Sequence, residues 1–158
     1  MKIAVTGAAG FIGQHVVAEL DRRSLTALLV LQPSLPIPAS LANHPMVQLD
    51  LGKPSVDMFE RMGSPGVLIH LAWGGLPNYK SLHHFENELP AQYRFLKGAI
   101  ESGLKSLVVT GTCFEYGMQS GALDEGMDTR PDNPYGFAKD TLRRQLEYLR
   151  KVKPFNLV

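Results

Sequence analysis

Thr6-Gly7-Ala8-Ala9-Gly10-Phe11-Ile12-Gly13 constrains the fold of this chain more than any other stretch. It opens directly after a short β-branched and apolar run, Lys2–Thr6. It closes inside a segment, Phe11 to about Arg23, whose apolar residues Ile12, Val16, Val17 and Leu20 recur at helical spacing. Each glycine in such a strand–turn–helix has its own reason. Gly7 permits the tight turn, Gly10 lets backbone approach a pyrophosphate, and Gly13 lets helix and strand pack closely. The N–H groups exposed at the helix start, by Phe11 and Ile12, then point at the phosphates. Glycines at this spacing are common in ordinary turns, and the flanking strand and helix are what make the string specific for a dinucleotide.

The rest of the chain continues the alternation. Leu25–Leu31, Met46–Leu49, Gly66–Ala72 and Ser106–Thr110 read as strands, two of them nearly all apolar, as central parallel strands are. Val56–Met62, Phe85–Gly103 and Pro134–Lys151 read as helices, with Pro90 in a first turn or at a kink. Pro33–Pro45 and the glycine-rich Gly111–Asn133 read as loops, the second long enough to be functional. A new apolar run begins at Phe155. This order predicts an α/β architecture, a doubly wound parallel sheet, with residues 1–158 forming one dinucleotide-binding domain. A length of 158 residues suits that size.

Sixteen Lys and Arg against fifteen Asp and Glu leave a formal charge of +1, dispersed apart from a short basic cluster near the C-terminus. That balance argues against nucleic acid or an anionic membrane as an electrostatically captured partner. The single cysteine, Cys113, excludes an internal disulfide framework and a cysteine-based zinc site. No apolar run approaches a membrane span, and Met1 leads straight into strand-like sequence, so a reduced, cytoplasmic protein is expected. His83-His84 with Glu86 and Glu88 lacks the one-face histidine spacing of a metal site and reads as a solvated helix start.

Tyr135-Gly136-Phe137-Ala138-Lys139 places a phenol and an ammonium four residues apart, on one helix face. A nearby ammonium favours phenolate, so the pair is expected to lower the tyrosine pKa toward neutrality for general acid–base work. Such pairs occur by chance on many helices. Pro134 before this one and the glycine loop upstream make the combination specific.

With these two motifs, the chain resembles the extended branch of the short-chain dehydrogenase/reductase superfamily, which holds nucleotide-sugar epimerases, dehydratases and 4-keto reductases. The resemblance implies a Rossmann fold, NAD or NADP as cofactor, and a nucleotide-sugar substrate. It places Asp50-Leu51 at the adenine edge and Leu71-Ala72 beside the cofactor, with His70 as a packed strand residue. Trp73 stands where relatives have a small residue; it either lines the substrate or nicotinamide pocket or is a core or surface tryptophan. Gln32 stands where an acidic residue normally meets the adenosine ribose, roughly 20 residues past the glycines, which leaves NAD against NADP open. Asn87 falls where the family has a helix-start asparagine.

Val109–Gly117 resembles the family's Ser-Ser/Thr-x-x-x-Tyr-Gly segment and makes Thr112 the catalytic hydroxyl, with Tyr135 and Lys139 completing the set. Lys139 is also expected to reach the nicotinamide ribose. Cys113 reads as structural, and Glu115 as either a substrate contact or a solvated residue. The strings around Trp73, Thr112 and Tyr135 look most like nucleotide-4-keto-6-deoxyhexose reductases, which act on dTDP-sugars. The competing reading is a non-catalytic NAD(P)-binding regulatory or redox-sensing module; a flavodoxin-like scaffold would need no Tyr-x-x-x-Lys. Family members commonly dimerise through two helices, and Phe95, Leu96, Ile100, Leu142, Leu146 and Leu149 are candidates for that interface, though some must face the sheet. Relatives are longer, so Lys153–Val158 is expected to open a sixth strand and the chain to be the cofactor half of a larger enzyme.

Overall fold

The computed structural model describes residues 1–33 and 35–158. Six strands form its sheet: β1 (Ile3–Thr6), β2 (Ala27–Leu31), β3 (Met46–Gln48), β4 (Val67–His70), β5 (Ser106–Val109) and β6 (Asn156–Leu157). Their order is β3-β2-β1-β4-β5-β6, and every neighbouring pair is parallel. The order reverses between β1 and β4, which is where such sheets open a ligand crevice. Four α-helices accompany it: α1 (Phe11–Arg22), α2 (Met58–Arg61), α3 (Leu89–Glu101) and α4 (Pro134–Val152).

Successive strand residues serve opposite faces. Ala4, Leu68 and Leu107 meet Phe95, Leu96 and Ile100 of α3 and Leu142 and Leu146 of α4 on one side. Ile3, Val5, Leu29 and Leu31 meet Val17 of α1 and Leu41 on the other. This allocation corrects the expected subunit interface. Phe95, Leu96, Ile100, Leu142 and Leu146 are at most 1% exposed, and Leu149 is half-buried against the same core. The apolar stripe of each helix is taken up by its own sheet.

The element boundaries move for local reasons. β2 starts at Ala27 because Leu25 still donates to Leu20 O at the end of α1 and Ser24 sits at positive φ. The helix expected from Phe85 begins with a π-helical turn, His84–Glu88, before α3 takes over with Pro90 in its first turn. Among the described residues no helix is long and apolar enough to cross a membrane, and no group of histidine, cysteine and carboxylate side chains is arranged for a metal.

His70, expected as a packed strand residue, is 1% exposed, with Nδ1 2.8 Å from Thr6 Oγ1 on β1. Burial, and then the charge of Lys139, hold its pKa down to about 3. The folded imidazole therefore stays neutral while the unfolded one takes up a proton near 6.5. That difference destabilises the fold as pH falls from 6.5 toward 3. We expect a loss of about 2 kcal/mol from this residue between pH 7.5 and pH 5. His70→Asn, which keeps a polar partner for Thr6 without titrating, should flatten that part of the profile in urea denaturation.

Candidate active site

Beyond β1 the chain turns at Gly7, φ +70°, where a Cβ would lie 2.7 Å from Ala72 N. The first turn is thus pressed against the end of β4, a fit that only glycine allows. A Cβ at Gly13 would lie 2.1 Å from Gly7 O, so α1 also needs a glycine there to reach the turn. Gly10 precedes α1 and donates to Gly7 O at 3.0 Å, and no side chain caps the helix. Its first-turn N–H groups are left to an external acceptor.

A cavity of about 400 Å³ opens along this edge, lined by Gly7, Gly10, Gln32, Asp50, Leu51, Leu71, Ala72 and Trp73 among others. All eight were expected from the sequence. Gly13 lies buried beneath the turn, while Phe11 and Ile12 are exposed at the helix start, offering backbone N–H groups and not side chains. Asp50 Oδ1 accepts from Gly52 N at 2.9 Å. Neither lysine nor arginine lines the cavity among the described residues. An apolar cleft ending on an uncapped helix N-terminus fits a dinucleotide: apolar walls for the rings, N–H donors for the pyrophosphate.

Thr112 follows β5 and caps a short 3-10 turn, Cys113–Glu115; Glu115 Oε1 accepts from Thr112 N at 2.8 Å in a reciprocal capping arrangement. α4 starts beside this turn. Asn133 Oδ1 accepts from Gly136 N at 2.9 Å, which sets the first helical turn and with it Tyr135. A Cβ on Gly136 would lie 2.3 Å from Phe114 O, so α4 and the Thr112 turn touch through a glycine. The three residues expected to act together are brought to one place: Tyr135 starts α4 beside the Thr112 turn, which Gly136 touches, and Lys139 is one turn further along α4.

Aromatic rings surround the phenol. The centroids of His84, Tyr79, Trp73 and Phe114 lie 5.2, 5.5, 5.9 and 6.2 Å from that of Tyr135. Burial pushes the Tyr135 pKa up, against the downward pull of the nearby Thr112 hydroxyl. This corrects the expectation that the lysine would depress it, because desolvation dominates. Lys139 itself is 5% exposed, and burial lowers its pKa to about 8, with the Glu115 charge opposing. Its Nζ lies 4.6 Å from the centre of the Trp73 ring.

Four local readings change. His84, expected in solvent, is fully buried between Trp73 and Tyr135. Glu88, also expected in solvent, is a cavity wall that accepts from Gly74 N and Gln92 Nε2, each at 3.0 Å, whereas Asn87 faces outward. Cys113, expected as structural, is exposed on its turn. Glu115 is 6% exposed, with Arg143 Nε 3.8 Å away, and burial raises its pKa. Gly136 and Tyr79 escaped the sequence reading too. A glycine directly after the tyrosine, in a helix with few other breakers, was the available signal for the first.

Two variants test this geometry. Gly136→Ala should separate α4 from the Thr112 turn, costing about 1–3 kcal/mol of stability and most of any turnover. Lys139→Met should instead stabilise the fold at pH 7 by up to about 3 kcal/mol, since the folded chain no longer holds a buried ammonium. The lysine's folded pKa lies below its unfolded one, so that gain should shrink as pH rises from 8 through 10.5. Thermal melts across that range check both statements.

Comparisons with known proteins bear on the family of the chain and on its fold. A profile of the NAD dependent epimerase/dehydratase family matches residues 3–158. The chain is 31% identical over 158 residues to the dTDP-6-deoxy-L-talose 4-dehydrogenase (NAD(+)) of Aggregatibacter actinomycetemcomitans, covering 98% of this chain and 57% of that one. It is 31% identical over 148 residues to the UDP-glucose 4-epimerase of Streptococcus mutans, covering 88% and 44%. Among solved structures, MoeE5 in complex with UDP-glucuronic acid and NAD superposes with a TM-score of 0.80 at 26% identity, over 99% of this chain and 52% of that one. The UDP-glucose 4-epimerase of Brucella ovis with NAD gives 0.85 at 20% identity, a likeness of fold, over 99% and 50%. The chain therefore spans about half the length of these relatives. A dinucleotide cleft at the switch point, a Thr–Tyr–Lys set beside it and a family match over almost the whole chain lead to one conclusion: this chain belongs to the NAD-dependent epimerase/dehydratase family.

Proposed function

We propose that this chain is the dinucleotide-binding and catalytic part of an enzyme that reduces the 4-keto group of a dTDP-4-keto-6-deoxyhexose, with NADH as reductant. The observation that carries this reading is the convergence of Thr112, Tyr135 and Lys139 beside the cleft. When bound, the dinucleotide supplies a hydride at nicotinamide C4. Tyr135 gives its phenolic proton to the carbonyl oxygen as the carbon is reduced, so a C=O becomes CH–OH. Thr112 donates a hydrogen bond to the same oxygen, since a carbonyl oxygen can only accept. A phenol is protonated at neutral pH and stays so when burial raises its pKa, so Tyr135 holds the proton it would donate. Similarity to a 6-deoxytalose dehydrogenase supports the deoxyhexose, and the rings of Tyr79 and Phe114 add apolar surface beside Tyr135.

NAD is the better fit than NADP. Gln32 brings no charge to repel a 2′-phosphate, but no cation lines the cavity to receive one. A homodimer remains part of this reading, through the outer surfaces of α4 and of α3 with the π-helical turn before it; there Phe137 of α4 is 51% exposed and pairs with Phe85 of that turn. The single exposed thiol, Cys113, suits a reducing cytoplasm.

Tyr135→Phe should lower turnover of dTDP-4-keto-6-deoxyhexoses by about 10²–10⁴-fold, with NADH affinity by calorimetry unchanged. NADPH should bind at least about 10-fold more weakly than NADH, the worth of one missing charge-assisted contact. Full activity in Tyr135→Phe would refute the mechanism. Tight NADH binding by a wild type that turns over neither these sugars nor UDP-hexoses would leave the sensing reading. A monomeric mass by light scattering would refute the dimer.

A further inference from the structure

Lys139 is almost wholly buried, and among the described residues its Nζ makes no side-chain hydrogen bond or salt bridge. What faces it is an aromatic surface: the Trp73 indole, with Nζ 4.6 Å from the ring centre. A desolvated ammonium over an indole face is a strong cation–π pair. Trp73 lines the first cavity and Lys139 a second one, of about 220 Å³, beside β5 and α4. Their contact therefore joins the walls of the two cavities, next to Tyr135.

The indole is itself held in place. Trp73 Nε1–H donates to His84 Nδ1 at 3.1 Å, and His84 Nε2–H donates to Asn78 O at 2.8 Å. The indole can only donate and the carbonyl can only accept, so the pair of bonds selects one neutral tautomer. His84 is fully buried, lies roughly parallel to the indole at 6.4 Å and packs against Tyr135 at 5.2 Å. We propose that Trp73 is the cation–π support that holds the Lys139 ammonium beside Tyr135, and that His84 is the positioning residue that locks the indole in that place. This rests on the reading of Tyr135 and Lys139 as the proton-handling pair.

The other charged and titratable groups around the ammonium are few. Glu115 approaches from the turn after β5 and favours the charged form, with Arg143 behind it; neutral His70 approaches from β4, and Tyr135 stands one turn earlier on α4 against the same indole. Glu115 and the indole thus share the work of offsetting burial. Removing the aromatic face should let the amine lose its proton at lower pH.

Trp73 is the only tryptophan in the chain, so its emission reports on this place alone. Wild-type emission should show a transition near pH 8 that is absent from Lys139→Met. No transition, or one that persists in Lys139→Met, would overturn the cation–π contact. This measurement uses no substrate, so its failure is distinct from a failure of the sugar reading.

Trp73→Leu should move the alkaline limb of kcat/KM down by about one pH unit, whereas Trp73→Phe, which keeps an aromatic face, should move it much less. An unmoved limb in Trp73→Leu would overturn the support. His84→Leu should red-shift Trp73 emission and move the limb as Trp73→Leu does; His84→Asn, whose amide oxygen can accept from the indole, should restore both. A His84→Leu protein with wild-type emission and limb would refute the positioning role. Circular dichroism on each variant separates these effects from unfolding.

Discussion

β1 is hydrogen-bonded to β2 on one side and β4 on the other, and its last residues tie the functional edge of the molecule together. Thr6 reaches His70, and Gly7 lies so close to Ala72 that no side chain fits between them. Because all six strands run the same way, their C-terminal ends share one edge. The glycine turn, the Trp73 loop and the Thr112 turn all leave the sheet there. α4 then joins this edge through Gly136, which lets Tyr135 enter a space already enclosed by other loops.

The site is made from groups that weaken the fold. Burying the Lys139 ammonium and the Glu115 carboxylate costs free energy that single salt bridges rarely return. Each is compensated in a different way. Glu115 accepts from Thr112 N and faces Arg143; Lys139 meets an aromatic face. The phenol sits among rings that exclude water and keep it protonated. Desolvation is thus the largest influence on each pKa, and hydrogen bonds and nearby charges oppose it. That is the opposite weighting from the one a Tyr–Lys spacing suggests by itself.

Much of the cleft at the end of β1 was legible in the sequence because its requirements are local. The turn after β1 needs glycines at set positions, and Asp50, Leu71 and Ala72 follow strand ends that the apolar runs mark. Tyr135 and Lys139 were legible because helical spacing fixes their common face. Residues whose roles depend on distant partners were not. His84 looks polar and exposed in isolation, yet Trp73 and Asn78 provide both of its hydrogen bonds. Glu88, not Asn87, faces the cavity, because a π-helical turn precedes α3 and sets which side chain points inward.

By itself, then, the sequence determined the alternation of strands and helices, the parallel sheet and the two motifs on its edge, since each follows from periodicity or short spacing. Only the tertiary structure decided how shared surfaces were divided. It gave the apolar stripes of α3 and α4 to the sheet, buried Glu115 and His84, and left Cys113 outside. The physical reason is that burial belongs to pairs of elements brought together across the chain. No single segment carries the desolvation that lowers the Lys139 pKa and raises that of Tyr135.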